Sequence, residues 1–201
     1  MPKFLDKFRE LRLKYGPLVK LMEKSSVFFK FIESRPVLRP ILERLKPHPL
    51  IPRDFVEELQ NLFLNAKPGT KIFIYSPYLK RKALENYIGL MRTASQRGVA
   101  IVVHTLSPDH YTIRDKNEHQ KLIKKLKEAE VKVIERTNMH EKAVVVIGEN
   151  MKVAYFGSLN PLSKYEGKAD YMLKFTHPEV VDALYLFLET LAAESEKHVT
   201  E

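Results

Sequence analysis

The stretch N-M-H-E-K-A-V-V-V-I-G-E-N-M-K-V-A-Y-F-G-S-L-N, residues 138–160, decides the fold and carries the most informative side chains of the sequence. It contains two apolar runs, at 143–147 and 153–156, separated by G-E-N. Gly and Asn favour tight turns because they tolerate positive φ. Two β-branched runs joined by such a turn predict a β-hairpin. The hairpin would bring the end of its second strand back beside the start of its first.

Four polar side chains would be gathered by this hairpin. His140 and Lys142 share a face, because alternate residues of an extended chain point the same way. Ser158 and Asn160 return to the same neighbourhood at the end of the second strand. An imidazole can attack phosphorus covalently, while an ammonium, a hydroxyl and a carboxamide can bind phosphate oxygens. The cluster predicts phosphodiester chemistry, and it needs no carboxylate or thiolate set, so we expect no metal and no other cofactor.

This pattern of His-x-Lys, strand, turn, strand and Gly-Ser-x-Asn resembles the signature of the phospholipase D superfamily, whose simplest members are nucleases with one copy of the motif. The resemblance covers roughly residues 54–195 of the chain. It implies that His140 is the nucleophile. It also implies that Lys142, Ser158 and Asn160 hold the phosphate.

Of two acidic positions in the family pattern, this sequence lacks one and keeps the other. The Asp that usually follows the lysine by five residues is replaced by Ile147. The acidic residue that often supports the catalytic histidine corresponds to Asp170. A carboxylate in that place would fix the tautomer of the imidazole and leave its other nitrogen to attack. The alternative is that Asp170 only opens a strand.

Three further residues are candidate substrate contacts. Tyr78 follows the first strand of a presumed parallel sheet, at the edge where ligand crevices form. Lys80 lies at the start of a predicted helix, where the helix dipole disfavours a cation unless an anion is bound nearby. Lys164 lies in a polar loop after Asn160. Structural or solvated roles are the alternatives for these residues.

Alternating strand and helix patterns predict an α/β fold around the motif. The resemblance implies a phospholipase D-like α/β sandwich with a mixed, largely parallel central sheet. Asp54 is the expected N-cap of the first helix. Strands are predicted at 71–76, 99–106, 131–134, 140–147, 153–158 and 171–175, and helices at 55–66, 79–97, 116–129 and 179–197.

The first fifty residues differ from the rest in charge. They hold 12 Lys and Arg against 5 Asp and Glu, whereas residues 51–201 hold 22 against 20. Their apolar spacing predicts a basic helical extension, residues 1–50, and the prolines of residues 46–52 predict a linker to a catalytic-type domain, residues 54–201. The charge favours a nucleic-acid partner, with a dimerisation element or a membrane-surface helix as alternatives.

Composition narrows the class of protein. The chain has 201 residues, 44% hydrophobic and 29% charged, which is typical of a globular protein. It has no cysteine, which excludes disulfides and Cys-type zinc sites. No apolar run suggests a transmembrane segment or a secretory signal, so we expect a cytoplasmic protein. Among the other histidines, His104 is predicted to be a hydrogen-bonded core residue, and His110 and His119 to be exposed.

The sequence therefore predicts a metal-independent phosphodiesterase, most naturally a nuclease on DNA or RNA that acts through a phosphohistidine. A second group must protonate the leaving oxygen. Single-motif relatives supply it by pairing two chains, so the resemblance implies a homodimer with two His140 side chains facing each other. One alternative is a weak or inactive nucleic-acid-binding module, possible if Ile147 marks lost chemistry, acting with a helicase or repair partner. Another is a phospholipid-directed phosphodiesterase.

Overall fold

The computed structural model describes residues 48–163 and 170–197 of the chain. The helical extension predicted for residues 1–50 lies outside the described residues except for its last three positions, and so does Lys164. The described part folds as an α/β unit in which a seven-stranded sheet carries helices on both faces. The predicted α/β class is confirmed.

The elements are numbered here in chain order within the described residues. The strands are β1 His48–Leu50, β2 Lys71–Tyr75, β3 Ala100–Leu106, β4 Lys132–Arg136, β5 Ala143–Ile147, β6 Lys152–Gly157 and β7 Met172–Phe175. The helices are α1 Pro52–Asn65, α2 Arg81–Glu85, α3 Ile88–Gln96, α4 Lys116–Glu128 and α5 Pro178–Lys197.

The sheet is mixed, as predicted, with the strand order β1-β7-β6-β5-β2-β3-β4. Strands β2, β3 and β4 pair in parallel, and every other neighbouring pair is antiparallel. Only β5 and β7 run against the remaining strands. The predicted hairpin is formed by β5 and β6, and β5 also pairs with β2, so the hairpin lies inside the sheet rather than at its edge.

Different helices cover the two faces of the sheet. On one face Phe73 packs against Tyr185 of α5, with ring centroids 4.6 Å apart. On the other face Tyr155 meets Phe55 of α1 at 5.6 Å. The side chains of α1, α3 and α4 join the strands on this second face in one buried hydrophobic cluster. The motif hairpin therefore has apolar cover on both sides.

The helix predicted at 79–97 is two helices, α2 and α3, separated at Asn86 and Tyr87. The Tyr87 side chain is fully buried, and its ring lies 6.2 Å from that of Phe63. Tyr87 has φ −120° and ψ −25°, which is outside helical geometry. We attribute the break to the burial of this large ring, which periodicity alone does not reveal.

The linker predicted at residues 46–52 is wrong for its later part. His48–Leu50 forms the edge strand β1, antiparallel to β7, and Pro52 begins α1. Edge strands and first helical turns are the places where regular structure tolerates proline. The N-cap is Ile51 rather than Asp54, which lies in the first turn.

Two buried histidines differ at least in part from expectation. His119, predicted to be exposed, is buried on the packed face of α4 one turn before Leu122, and its Nε2 lies 2.9 Å from the carbonyl oxygen of Leu106. His104 is buried as predicted, but its ring stacks on Tyr75 with centroids 4.5 Å apart. Among the described residues, the Nδ1 of His104 has no hydrogen-bond partner.

Within the described residues, none of the helices has both the length and the apolar character needed to cross a bilayer.

Gly157 ends β6 at a point where the backbone of the next segment comes very close. A Cβ built at Gly157 would overlap the carbonyl oxygen of Tyr171 and lie 3.0 Å from the Cα of Met172. We expect Gly157→Ala to lower the free energy of unfolding by about 1–3 kcal/mol, because backbone must move to admit the methyl group. Urea unfolding of the full chain measures this.

The matched control is Gly89→Ala in α3, where no atom lies within 4 Å of the added Cβ. That change should raise the free energy of unfolding by roughly 0.5–1 kcal/mol, since Ala restricts the unfolded chain more than Gly. Equal unfolding midpoints for the two variants would contradict the close approach at Gly157.

Candidate active site

The register of the hairpin places the predicted catalytic residues side by side. Ala143, the first residue of β5, pairs with Phe156 near the end of β6. One step further out, the backbone N–H of Gly157 donates to the carbonyl oxygen of Lys142 at 3.2 Å. The N–H of Ser158 then donates to the carbonyl oxygen of Tyr171 at 3.0 Å. Backbone pairing thus brings the His-x-Lys segment to the Gly-Ser segment, as the sequence predicts.

Glu141, between the two predicted phosphate-site residues, anchors this segment. Its carboxylate lies 3.4 Å from the guanidinium of Arg136, whose side chain is 2% exposed, and it also accepts a 3.1 Å hydrogen bond from the backbone N–H of His140. Arg136 in turn donates to the carbonyl oxygen of Leu191 in α5 at 2.8 Å. The ion pair therefore ties the residue between His140 and Lys142 to the end of β4 and, through Arg136, to α5.

This ion pair was not predicted from the sequence. The feature that could have indicated it is a glutamate inside His-x-Lys, five positions after an arginine that ends a strand.

The imidazole of His140 is exposed, and its pKa lies below the ordinary value. The ammonium of Lys142 lowers the pKa of His140, burial lowers it further, and Glu141 partly opposes them. Lys142 is half-buried, which lowers the pKa of its ammonium, while Glu141 and Asp170 oppose that change. Its Nζ donates to the carbonyl oxygen of His140 at 2.9 Å. A neutral imidazole beside a cation is the form that a nucleophile for an anionic phosphodiester requires.

Asp170 contacts the hydroxyl of the site. The Oγ of Ser158 donates to Oδ1 of Asp170 at 3.1 Å and accepts from the N–H of Tyr171 at 3.1 Å. Within the part of the chain that the structure describes, the carboxylate makes no hydrogen bond to His140. Its support of that ring stays a prediction, and its observed contact orients the hydroxyl.

Asn160 lies in a loop that is fixed to the loop after β2. Its backbone carbonyl accepts from the N–H of Ser163 at 3.1 Å, and its side-chain Oδ1 is buried with no hydrogen-bond partner among the described residues. The buried hydroxyl of Ser76 donates to the carbonyl of Tyr78 at 3.0 Å and accepts from the N–H of Leu162 at 3.1 Å. A buried oxygen without a donor is unusual in proteins. Binding of a phosphate oxygen, as the sequence predicts for Asn160, would use its Nδ2 group, since a phosphodiester offers no donor.

The two described substrate candidates, Tyr78 and Lys80, line one cavity of about 630 Å³. Tyr78 is half-buried and donates to Oγ1 of Thr112 at 3.3 Å, and Lys80 is exposed. They lie at the motif end of the sheet, because Tyr75 at the end of β2 pairs with Ala143 at the start of β5. Their contact with substrate stays a prediction, as does that of Lys164, which lies outside the described residues.

Another cavity, of about 700 Å³, lies at the opposite end of the hairpin. It is lined by the turn at 149–151 and by α1, and it contains the ion pair of Glu58 with Lys174 at 2.8 Å. Its position makes it unrelated to the predicted chemistry.

The departure at Ile147 also lies far from the site. Ile147 ends β5, opposite Lys71 and Lys152. At about 3.3 Å per residue it is roughly 13 Å from Ala143. The missing family carboxylate therefore does not remove a group from beside His140. Among the described residues, no set of three or more His, Asp or Glu side chains is arranged to hold a metal ion.

Comparisons with known proteins give a family and a set of similar folds. Residues 59–189 match the family model described as "Cardiolipin synthase, PLD-like domain". No curated protein sequence gives a significant match. Polyphosphate kinase from Porphyromonas gingivalis is similar in fold, with a TM-score of 0.54 and 15% identity over 82% of this chain, which spans 28% of that chain.

Two further solved structures resemble the chain at lower TM-scores. NucT from Helicobacter pylori is 19% identical with a TM-score of 0.48, over 75% of this chain and 96% of that one. The phospholipase D family member Nuc from Salmonella typhimurium is 14% identical with a TM-score of 0.47, over 66% of this chain and 84% of that one.

The effect of Lys142 on His140 can be measured by NMR titration of the His140 ring protons. In the wild-type protein we expect a pKa below the ordinary value of about 6.5. In Lys142→Met the pKa should rise, because removing a neighbouring cation favours the imidazolium. The control is Lys124→Met, which removes an exposed cation from α4 and should leave the His140 titration unchanged. A pKa that stays constant or falls in Lys142→Met would contradict this account.

Proposed function

Because the chain belongs to the family of cardiolipin synthase-type phospholipase D-like domains, in a superfamily of phosphodiesterases and nucleases, we propose that it is a metal-independent phosphodiesterase that cleaves DNA or RNA. The observation that carries the proposal is the convergence of His140, Lys142 and Ser158 at the paired ends of β5 and β6. The excess of basic residues in 1–50 supports a polyanionic substrate, and it predicts salt-sensitive binding.

The reaction has two steps in this proposal. In the first, a ring nitrogen of His140 attacks phosphorus, so that a P–N bond forms as the P–O bond to the leaving oxygen breaks and that oxygen takes a proton from a general acid. Lys142, Ser158 and Asn160 hold the non-bridging oxygens, whose negative charge must be stabilised in the transition state. In the second, water attacks the phosphohistidine, the P–N bond breaks, and the former acid accepts the proton of the water.

The general acid is the second His140 of a symmetric homodimer, which has to be protonated to imidazolium when substrate is bound, a form that the nearby negative phosphodiester favours. Each chain supplies one such histidine, and its ring is exposed in the described structure, which leaves it accessible to a partner. A composite site of this kind joins two identical surfaces across a two-fold axis. Catalysis therefore depends on the association of two chains.

A phospholipid-directed reaction is the second candidate, and the name of the matching family model favours it. The basic charge of residues 1–50 would suit anionic lipid as well as nucleic acid. The inactive-module alternative rests on Ile147, which lies at the far end of β5 from His140, and the cleavage assay below tests it.

The decisive experiment incubates the full chain with single- and double-stranded DNA, with RNA, and with anionic phospholipid vesicles, all in excess EDTA. We expect cleavage of nucleic acid, and we expect His140→Ala to reduce it by at least about 10³-fold because the nucleophile is removed. The matched control is His177→Ala, an exposed histidine before α5, which should keep wild-type activity. Hydrolysis of the lipid alone would favour the second candidate, and no cleavage of any substrate would overturn both.

Mixing the wild-type protein with His140→Ala tests the composite site. After equal amounts exchange subunits, the activity per wild-type chain should fall to about half, because mixed dimers have only one of the two histidines. Gel electrophoresis of the cleaved substrate measures this, with the His177→Ala protein as the mixing control. Unchanged activity per wild-type chain at complete exchange would mean that each chain works alone.

A further inference from the structure

Tyr111 is unusual among the large side chains of the described structure because 91% of it is exposed to solvent. It lies in the loop of residues 107–115 between β3 and α4. This loop leaves the sheet at the same end as the predicted nucleophile, since His104 near the end of β3 pairs with Tyr75, which pairs with Ala143. Ala143 at the start of β5 is therefore two strand spacings, about 10 Å, from His104, two residues before the end of β3.

The loop that carries Tyr111 is held by hydrogen bonds. The N–H of His110 donates to the carbonyl of Ser107 at 3.0 Å, and the N–H of Ile113 donates to the carbonyl of His110 at 2.9 Å. The Ile113 side chain is buried, which anchors the loop to the core. The Nδ1 of His110 lies 2.7 Å from Oγ1 of Thr112. The exposure of Tyr111 thus belongs to an ordered turn, and His110 is half-buried rather than exposed as predicted.

The His110 and Tyr111 rings lie together, with centroids 4.4 Å apart and planes tilted by 32°. Of the two, Tyr111 lines the cavity of about 630 Å³ that Tyr78 also lines. An exposed aromatic face beside a groove is the arrangement on which unpaired nucleic-acid bases stack. An apolar ring would otherwise cost free energy by remaining in water.

The groove formed by this cavity is lined by two cationic side chains and two carboxylates, and both carboxylates have partners. Of its two carboxylates, Asp115 caps α4 by accepting from the N–H of Glu118 at 2.8 Å, and Glu118 lies 3.5 Å from Arg81. Lys80 and Arg114 are exposed, and their side chains make no ion pair with the described residues. Two such cations beside an aromatic ring match the phosphates on either side of a stacked base.

We propose that this groove is a subsite for an unpaired nucleotide of the substrate, with its base stacked on Tyr111 and its phosphates bound by Lys80 and Arg114. The inference rests on the proposed function, and it narrows the substrate class to single strands and frayed or looped ends. Bases in a duplex are stacked on their neighbours and cannot present a face to Tyr111. The groove therefore selects strands by the availability of bases, while the charge of the chain attracts any polyanion.

Binding is tested with the full chain carrying His140→Ala, so that no substrate is consumed. The probes are a fluorescent single-stranded DNA, the same sequence as a duplex, and an abasic strand with the same phosphates. Tyr111→Ala should weaken binding to the base-containing single strand by roughly 5- to 100-fold, which is the usual effect of losing one stacked base. Binding to the duplex and to the abasic strand should change less than about twofold, because neither offers an unstacked base.

Two control variants separate stacking from other effects. Tyr111→Phe keeps the ring and should bind the single strand within about twofold of the parent. Leu186→Ala removes another exposed apolar side chain, 47% exposed on α5, and should have no effect. An equal loss in Tyr111→Ala for the base-containing and abasic strands, or no loss for either, would overturn the subsite.

The binding test of the subsite and the cleavage test of the proposed function can fail independently. If the wild-type protein cleaves nucleic acid in EDTA but Tyr111→Ala binds single strands normally, the function stands and the subsite is wrong. If no nucleic acid is cleaved but binding depends on Tyr111, the subsite stands and the protein is a binding module. Absence of any nucleic-acid binding would overturn both.

Discussion

The arrangement of the candidate site depends on the backbone hydrogen bonds that hold β5 antiparallel between β2 and β6. Ala143 pairs with Tyr75 on one side and with Phe156 on the other. The end of β2, the His-x-Lys segment and the Gly-Ser segment therefore meet at one edge of the sheet. A slip of one residue in this register would turn every β5 side chain to the opposite face. The apolar cover on both faces therefore also fixes the position of His140 and Lys142 relative to Ser158.

Short-range contacts then refine what the register places. The missing side chain of Gly157 lets Tyr171 approach, and that approach allows the Ser158 hydroxyl to bridge a backbone N–H and a carboxylate. Glu141 is drawn inward by the buried Arg136. A buried ion pair adds little net stability because desolvation offsets the attraction, so its main effect here is positional. The lowered pKa of His140 has its main cause in the nearby ammonium of Lys142.

The sequence predicts the parts of the molecule that local pattern determines. The apolar runs identify the strands, and the turn and glycine between and after them identify the hairpin, whose phosphate-site residues stay a prediction. Sequence patterns do not reveal contacts that depend on the order of strands or on the packing of one particular side chain. The insertion of β5 beside β2, the burial of Tyr87 that divides a helix, and the burial of His119 are of this kind. The ion pair of Arg136 with Glu141 depends on the path of the chain, which runs from the edge strand β4 to β5 inside the sheet.

The length of β5 has a consequence for how the family can vary. The strand separates the chemical end of the hairpin from its turn, where Glu149 and Asn150 are exposed. Residues added at that turn extend the loop into solvent without shifting the pairing of β5 with β6, whereas one residue added inside either strand would displace the nucleophile. The turn is thus a place where residues, a label or a second domain can be added while the strand pairing that positions His140 and Ser158 stays unchanged.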